Sequence, residues 1–232
     1  MTKTIFPSFN PVLLDIANSQ EKFPVHNIYC IGRNYKAHAE ELGFSVDKAS
    51  MKPFYFCKST SFLNNSGAVI DYPPQTNNFH HEIELVIAIG KTGKNIAISD
   101  AESFIYGYAV GLDMTRRDLQ AELRDKGLPW DNAKNFQNAA IVSSIYPKTQ
   151  TGIIDKGEIK LSVNNEIRQK SDLSQMIWNI PEIIADLSTY HQLEAGDLIF
   201  TGTPEGVSAV NKGDYLLGEI ENLGKIELTI KN

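Results

Sequence analysis

The feature that most constrains the fold is a series of short strand-like runs that recurs along the whole chain. Gly, Asn, Asp or Pro residues bound most of these runs, which is typical of strands that end in turns. The runs are residues 27–31, 54–58, 82–89, 107–113, 159–163, 197–201, 215–220 and 225–230. The chain therefore predicts a fold rich in β-structure.

Helical patterns are fewer than strand patterns. Residues 34–42 and 115–126 each end at a glycine, Gly43 and Gly127, as many helices do. Pro181 suits the first turn of a third helix over residues 181–190. Since strands and long helices do not alternate regularly, the pattern predicts an α+β domain rather than a doubly wound sheet or an eightfold α/β barrel.

The domain organisation is predicted to be simple. The 232 residues contain no internal repeat, no low-complexity tract and no Pro-, Gly- or Ser-rich linker. This length is compatible with one large domain. We expect one principal domain over residues 25–232, with residues 1–24 as an N-terminal extension packed on it.

Charge and hydropathy indicate which partners to expect. Lys and Arg number 22 against 28 Asp and Glu, which gives a net charge of −6 and no cationic field for nucleic acid or anionic lipid. No apolar run reaches the ~18 residues of a membrane span, and the N-terminus lacks a signal-peptide core. We therefore expect a cytoplasmic protein with neither nucleic acid nor membrane as partner, and with Cys30 and Cys57 as reduced, buried thiols.

Three acids stand out by their surroundings. In a strand, Glu82 and Glu84 point to the same side and run directly into the apolar sequence LVIAIG, while Asp113 ends another apolar run. Acid-x-acid pairs are expected about three times by chance in this composition, so the spacing alone is weak. If the strands are neighbours, the acids form a hard-oxygen site for Mg²⁺ or Mn²⁺; otherwise they are capping or surface acids.

A histidine and an acid are predicted to share one face of the first helix. His38 and Glu41 stand three residues apart, so the carboxylate can orient the imidazole. This arrangement suits a general base, although such a pair is a surface salt bridge in most proteins. Two further segments bear polar groups: the FTGTPEGV loop, which can bind an anion or form a tight turn, and Lys134, which can meet a carboxylate or stay on the surface.

Taken together and in order, these segments resemble the fumarylacetoacetate hydrolase family, and within it the acylpyruvate hydrolase and oxaloacetate decarboxylase-like branch. The resemblance covers roughly residues 25–230, and several motifs in one order are more specific than any one of them. The motifs are GRNYKAHAEELG, KPFYFCKSTSFL, HHEIELVIAIG, YGYAVGLDMTRRDLQ, KGLPWDNAKNF, LSVNNEIRQK, SQMIWNIPEIIADLS and LEAGDLIFTGTPEGVS.

The resemblance implies a rolled, mixed β-sheet domain with short helices, usually a homodimer. It also implies a role for each candidate site residue. The implied metal ligands, for Mg²⁺ or Mn²⁺, are Glu82, Glu84 and Asp113; the implied catalytic residues are His38, Glu41 and Lys134; the implied substrate contacts are Arg33, Gln120 and Thr203.

The implied activity is hydrolysis of a carbon–carbon bond in an acylpyruvate, a 2,4-dioxo acid, to pyruvate and a carboxylic acid. The partner is thus a small 2-oxo acid. Decarboxylation of oxaloacetate and keto–enol tautomerisation can use the same site and form an alternative. A further alternative is a non-catalytic interaction module that a metal ion stabilises.

Overall fold

The computed structural model describes residues 5–7, 10–41, 43, 45 and 47–232. Short strands dominate this part of the chain, with few helices. The strands are β1 Leu13–Asp15, β2 Lys22–Pro24, β3 Ile28–Ile31, β4 Tyr55–Lys58, β5 Leu63–Asn65, β6 Ala68–Ile70, β7 Phe79–His80, β8 Ile83–Ile89, β9 Ile105–Asp113, β10 Thr115–Arg116, β11 Ala140–Val142, β12 Tyr146–Pro147, β13 Glu158–Val163, β14 Glu166–Asp172, β15 Leu198–Phe200, β16 Tyr215–Ile220 and β17 Gly224–Ile230. The α-helices are α1 Lys36–Glu41, α2 Arg117–Asp125, α3 Asp131–Lys134, α4 Lys148–Thr151 and α5 Ile180–Tyr190. Short 3₁₀ helices span Thr60–Phe62, Ile98–Phe104 and Leu173–Gln175.

Two mixed sheets form the body of the molecule. The larger sheet has the strand order β4-β3-β15-β8-β9-β11-β5, with β12 paired beside β9. The smaller sheet has the order β14-β13-β16-β17-β6. Both contain parallel and antiparallel neighbours: in the larger sheet β15 runs parallel to β3 and β8 antiparallel to β9, and in the smaller sheet β17 runs parallel to β6 and antiparallel to β16. Every predicted strand is present, and the α+β, β-rich class is confirmed.

The larger sheet rolls until its two edges approach each other. Its edge strand β4 continues through the Thr60–Phe62 turn into β5 at the opposite edge. Side chains from both sides of the closure, Phe56 of β4 and Leu63 of β5, pack with Val86 and Ala109 in one core cluster. The inner face of the roll is therefore an apolar core, and the N-terminal hairpin β1-β2 adds Leu14 to it.

The outer face of the roll packs against the smaller sheet and against α5. Alternate residues of β8 such as Leu85 and Ile87 share this second core with Leu161 of β13 and Ile184 of α5. Alternation across a strand explains why one strand feeds two cores, because successive side chains point to opposite faces. All of β8 is buried, and its alternation places Glu84 on the face opposite to Leu85 and Ile87.

Helix α5 begins where the sequence indicates. Asn179 accepts a hydrogen bond from the Glu182 backbone N–H at 3.0 Å, and the Glu182 carboxylate accepts one from the Asn179 N–H at 2.8 Å, a reciprocal capping box. Pro181 lies in the first turn, as predicted. The first helix is shorter than predicted; it spans Lys36–Glu41, and the predicted end residue, Leu42, lies outside the described residues.

Two sequence-based expectations need correction. Cys30 is buried, but Cys57 is exposed, because β4 is an edge strand whose outer side is partly open to solvent. The strand through Glu82 is also interrupted: β7 ends at His80 and β8 begins at Ile83. No helix in the described part of the chain is long and apolar enough to cross a bilayer.

Candidate metal centre

Three buried carboxylates converge at one end of the inner face of the rolled sheet. Glu84 is paired across the ladder with Gly111, and the backbone N–H of Asp113 bonds the carbonyl of Glu82 at 2.9 Å, so β8 and β9 bring the three acids together. One carboxylate oxygen from each of Glu82, Glu84 and Asp113 lies within 4.8 Å of the other two. All three residues are at most 5% exposed. The structure thus brings together the acids that the sequence singled out.

The three carboxylates differ in their electrostatic surroundings. Burial, with the neighbouring charges of Asp113 and Glu82, raises the pKa of Glu84 well above its usual value. Burial also acts on Glu82, but Lys134 and Arg117 outweigh it and lower the pKa of that carboxyl. An added positive charge would therefore stabilise the ionised form of Glu84 more than that of Glu82.

Lys134 lies inside the acid cluster rather than on the surface. Its Nζ atom is 2.8 Å from Glu82 Oε2, 2.7 Å from Asp113 Oδ2 and 2.7 Å from Thr115 Oγ1. Burial lowers the pKa of the amine, but the charges of Asp113 and Glu82 outweigh burial and raise it. The side chain is thus an ammonium group, which donates protons in hydrogen bonds and stabilises negative charge.

His38 and Glu41 lie on one side of α1, as the spacing predicted. His38 Nδ1 is 3.4 Å from Glu41 Oε2, and the imidazole is buried while the carboxylate is partly exposed. The Glu41 carboxylate also accepts from the Gly206 backbone N–H at 3.2 Å. Burial lowers the pKa of His38 despite the opposing charge of Glu82, so the imidazole is neutral at neutral pH and can accept a proton.

The buried side chain of Asn34 fixes the start of α1. Its amide nitrogen donates to the carbonyls of Thr201 at 2.8 Å and Trp178 at 2.9 Å, and its oxygen accepts from the Trp178 N–H at 2.8 Å. These bonds join the segment before α1 to the end of β15. The position of His38 is therefore set by the core of the domain rather than by a surface loop.

The TGTP segment closes the site from the end of β15. The Gly202 N–H donates to Glu84 Oε2 at 2.7 Å, and a Cβ at this position would lie 2.7 Å from the Asn34 Cβ. Its φ of +91° also favours glycine. Thr203 Oγ1 donates to the Ile83 carbonyl at 2.7 Å and accepts from Gln169 Nε2 at 2.8 Å, so its hydroxyl hydrogen is already in use within the protein.

The remaining predicted residues line the cleft in front of the acids. Gln120 lies on α2 and accepts a hydrogen bond from Arg117, whose guanidinium also pairs with Glu82. Arg33 has a left-handed φ of 57°, and its guanidinium carbon lies 5.4 Å from the Phe54 ring centre. The cleft has an empty volume of about 560 Å³, part of it open to solvent. All the predicted site residues except Glu41 line it: Arg33, His38, Glu82, Glu84, Asp113, Gln120, Lys134 and Thr203.

Sequence reasoning missed three residues that hold the site together. Lys58 is fully buried, and its Nζ lies 2.6 Å from Asp113 Oδ1. Arg117 pairs with Glu82, and the buried Gln169 amide donates to Thr203 and to the Pro204 carbonyl. Arg117 stands in the TRRDLQ segment after Asp113, where a cation close to a predicted ligand was a usable signal. Lys58 and Gln169 gave no local signal.

The buried imidazole of His81 makes the stability of the fold depend on pH. It bonds Gln169 Oε1 at 2.9 Å, and burial lowers its pKa to about 4. In the folded state the pKa lies below the ordinary value of 6.5, so the unfolded chain takes up a proton first as the pH falls. The free energy of unfolding is therefore unaffected by this group above pH 6.5 and decreases as the pH falls toward 4. Between about pH 7.5 and pH 5, the free energy of unfolding of His81→Gln should fall by about 2 kcal/mol less than that of the wild type.

Urea unfolding of the wild type and of His81→Gln at the two pH values measures this difference. His191→Gln, at an exposed position, is the matched control and should keep the wild-type pH dependence. Equal losses in the wild type and in His81→Gln would contradict the role given to His81.

The donor set fits a divalent cation. Three carboxylates supply hard oxygen ligands of the kind that Mg²⁺ and Mn²⁺ prefer. Asp113 Oδ1 is buried and lies 2.6 Å from the Lys58 ammonium, so a bound cation would share this oxygen with Lys58. Among the described residues, the group of acids close enough to hold an ion contains neither Cys nor His, so the set is unsuited to a typical zinc site.

Comparison with known proteins identifies relatives of this chain in sequence and in fold. The profile described as "Fumarylacetoacetate (FAA) hydrolase C-terminal" matches residues 27–231. Fumarylpyruvate hydrolase from Ralstonia sp is 51% identical over 189 residues, covering 82% of this chain and 98% of that protein. The crystal structure of fumarylpyruvate hydrolase from Pseudomonas aeruginosa in complex with Mn²⁺ and pyruvate superposes with a TM-score of 0.94 at 45% identity, covering 99% of both chains.

Other similar proteins are named for reactions of oxaloacetate. A mitochondrial oxaloacetate tautomerase from Arabidopsis thaliana is 40% identical over 204 residues, covering 88% of this chain and 90% of that protein. A mitochondrial oxaloacetate decarboxylase from Dictyostelium discoideum is 39% identical over 190 residues, covering 82% of this chain and 86% of that protein.

Proposed function

Since the chain belongs to the fumarylacetoacetate hydrolase family, we propose that it is a divalent-metal-dependent hydrolase that cleaves a carbon–carbon bond in acylpyruvates. The observation that carries this proposal is the convergence of three buried carboxylates in a cleft that His38 also lines. The similarity to a fumarylpyruvate hydrolase at 51% identity supports it.

The proposal gives each group at the site a task. Glu82, Glu84 and Asp113 would hold the ion, Mg²⁺ or Mn²⁺. When bound, this ion supplies positive charge that orients the 2-oxo acid end of the substrate and stabilises developing negative charge. The Mn²⁺ in the Pseudomonas aeruginosa fumarylpyruvate hydrolase supports this choice of metal.

The protein's own residues then carry the proton transfers. Neutral His38 takes a proton from water, and Glu41 stabilises the imidazolium that forms. The water oxygen bonds to the 4-carbonyl carbon, the bond between carbons 3 and 4 breaks, and the electron pair leaves with the pyruvate part as an enolate. The Lys134 ammonium stabilises this negative charge or donates a proton to carbon 3, in which case the proton that His38 took restores the ammonium. Gln120, Thr203 and Arg33 line the cleft in which the substrate would bind.

A second candidate is decarboxylation or tautomerisation of oxaloacetate. Similar proteins at about 40% identity are named for these reactions. Oxaloacetate presents the same carboxylate and 2-oxo group, and its decarboxylation needs no attacking water. Whether hydrolysis of acylpyruvates or a reaction of oxaloacetate is favoured would therefore depend on how the part of the substrate beyond the 2-oxo acid group fits the cleft.

The test is a substrate panel of acetylpyruvate, fumarylpyruvate and oxaloacetate, each assayed with Mg²⁺, with Mn²⁺ and with a chelator. We expect hydrolysis of at least one acylpyruvate with metal, and its loss with the chelator. Turnover of oxaloacetate alone would replace the proposal by the second candidate. Absence of all turnover, together with metal-dependent thermal stability, would indicate a non-catalytic module.

A homodimer and a cytoplasmic location also stay proposals. Family resemblance supports the dimer. The location has only the sequence-based expectation behind it, and similar proteins from Arabidopsis thaliana and Dictyostelium discoideum are named as mitochondrial.

A further inference from the structure

Lys58 is a buried cation to which the reaction proposed above gives no role. It is the last residue of β4, its side chain is 0% exposed, and its Nζ lies 2.6 Å from Asp113 Oδ1. The same ammonium donates to the carbonyls of Met114 at 3.3 Å and Lys134. Burying an ammonium group costs free energy unless it is paired, and Asp113 provides that pairing. What needs an explanation is the presence of a buried cation beside a proposed metal ligand.

Counting the formal charges of the buried groups suggests the explanation. In the described part of the chain, the cations that pair with this acid cluster are Lys58, Lys134 and Arg117, and their ion pairs are with Asp113 and Glu82. When all three carboxylates are ionised, as they must be to hold a cation, three positive charges balance three negative ones. A divalent cation then brings the cluster to a net charge of +2, which a dianionic substrate neutralises.

We propose that Lys58 is a positioning residue that sets this charge balance, weakening metal binding and strengthening the binding of a dianionic 2-oxo acid. The inference rests on the proposed function, because it assumes that the ion binds the three carboxylates. Lys58 competes with the ion for Asp113, since its ammonium lies against one of the two carboxylate oxygens. In a water-excluded site this repulsion between like charges is much stronger than in water.

The proposal predicts effects of opposite sign on the two ligands. Removing the charge of Lys58 should tighten Mn²⁺ binding and weaken the binding of an anion to the Mn²⁺-loaded protein. A purely structural role predicts a different result, because a damaged site loses affinity for both. The opposite signs therefore separate an electrostatic role from loss of packing.

The test variant is Lys58→Gln, whose neutral amide can still donate to the carbonyls of Met114 and Lys134. Isothermal titration with Mn²⁺ alone should show affinity roughly tenfold higher than in the wild type. Titration of the Mn²⁺-saturated protein with oxalate, corrected for the complex that the two form in solution, should show affinity roughly tenfold lower. Lys58→Arg retains the charge and should stay near the wild type for both ligands.

Lys231→Met is the matched control, because it removes an exposed lysine that pairs with Asp71 at 3.1 Å. It should leave both affinities unchanged. Thermal unfolding identifies any variant that does not fold; if Lys58→Gln fails, Lys58→Met takes its place. Unchanged or weaker Mn²⁺ binding in a folded neutral variant would overturn the role of Lys58. Failure of the wild type to bind Mn²⁺ even with oxalate would overturn the proposed function instead.

Discussion

His38→Ala should lower the rate of acylpyruvate hydrolysis by roughly 10²- to 10⁴-fold, the range that a general base contributes. The reason is the environment of the imidazole. It is buried, burial lowers its pKa, and Glu41 lies 3.4 Å away to stabilise the protonated form. Without this base, water must attack the 4-carbonyl carbon unaided. Mn²⁺ binding should persist, because His38 is not among the three acids that would hold the ion.

The measurement compares kcat for hydrolysis with the rate of oxaloacetate decarboxylation in the same variant. Decarboxylation needs no attacking water and should survive or increase. His191→Ala, at an exposed histidine, is the matched control and should keep both rates. Hydrolysis at the wild-type rate in His38→Ala would show that another group activates water.

Asp113→Asn should remove every metal-dependent reaction, with a loss of roughly 10³-fold or more in kcat/KM. Asparagine preserves the shape of the side chain but removes a negative ligand. It also leaves Lys58 and Lys134 without the carboxylate that both contact, so the site becomes more positive and repels a cation. Both hydrolysis and decarboxylation should fall, whereas His38→Ala lowers hydrolysis only.

Mn²⁺ titration and the two activity assays measure this prediction. Asp100→Asn changes the same residue type at an exposed position and is the matched control. The Asp113→Asn protein should keep a cooperative thermal transition, which shows that it is folded. Normal Mn²⁺ affinity in this variant would mean that the ion binds elsewhere.

The sequence predicted that Glu82 and Glu84 lie close together because this depends on a local rule. Alternation along a strand puts Glu82 and Glu84 on one side, and the interruption between β7 and β8 does not change this. Helical spacing likewise brought His38 and Glu41 together. Whether Asp113 joined the acids depended on which strands are neighbours, and this required the pairing of β8 with β9.

The remaining features depend on contacts between distant segments. Lys58 reaches Asp113 because the larger sheet rolls and brings its edge strand to α3, and no pattern within β4 encodes that closure. The residues around Gln169 are polar and predict exposure to solvent. Its amide is nevertheless buried where β14 packs against the TGTP segment. The exposure of Cys57 has the same origin, since an edge strand cannot be recognised from an apolar run alone.

The most direct test of the central claim is anomalous diffraction from crystals of the protein grown with Mn²⁺. The account predicts one strong anomalous peak at the inner face of the rolled sheet, with oxygens of Glu82, Glu84 and Asp113 at coordination distances of about 2.0–2.6 Å. A peak at another site, or no peak between these carboxylates at saturating Mn²⁺, would contradict it.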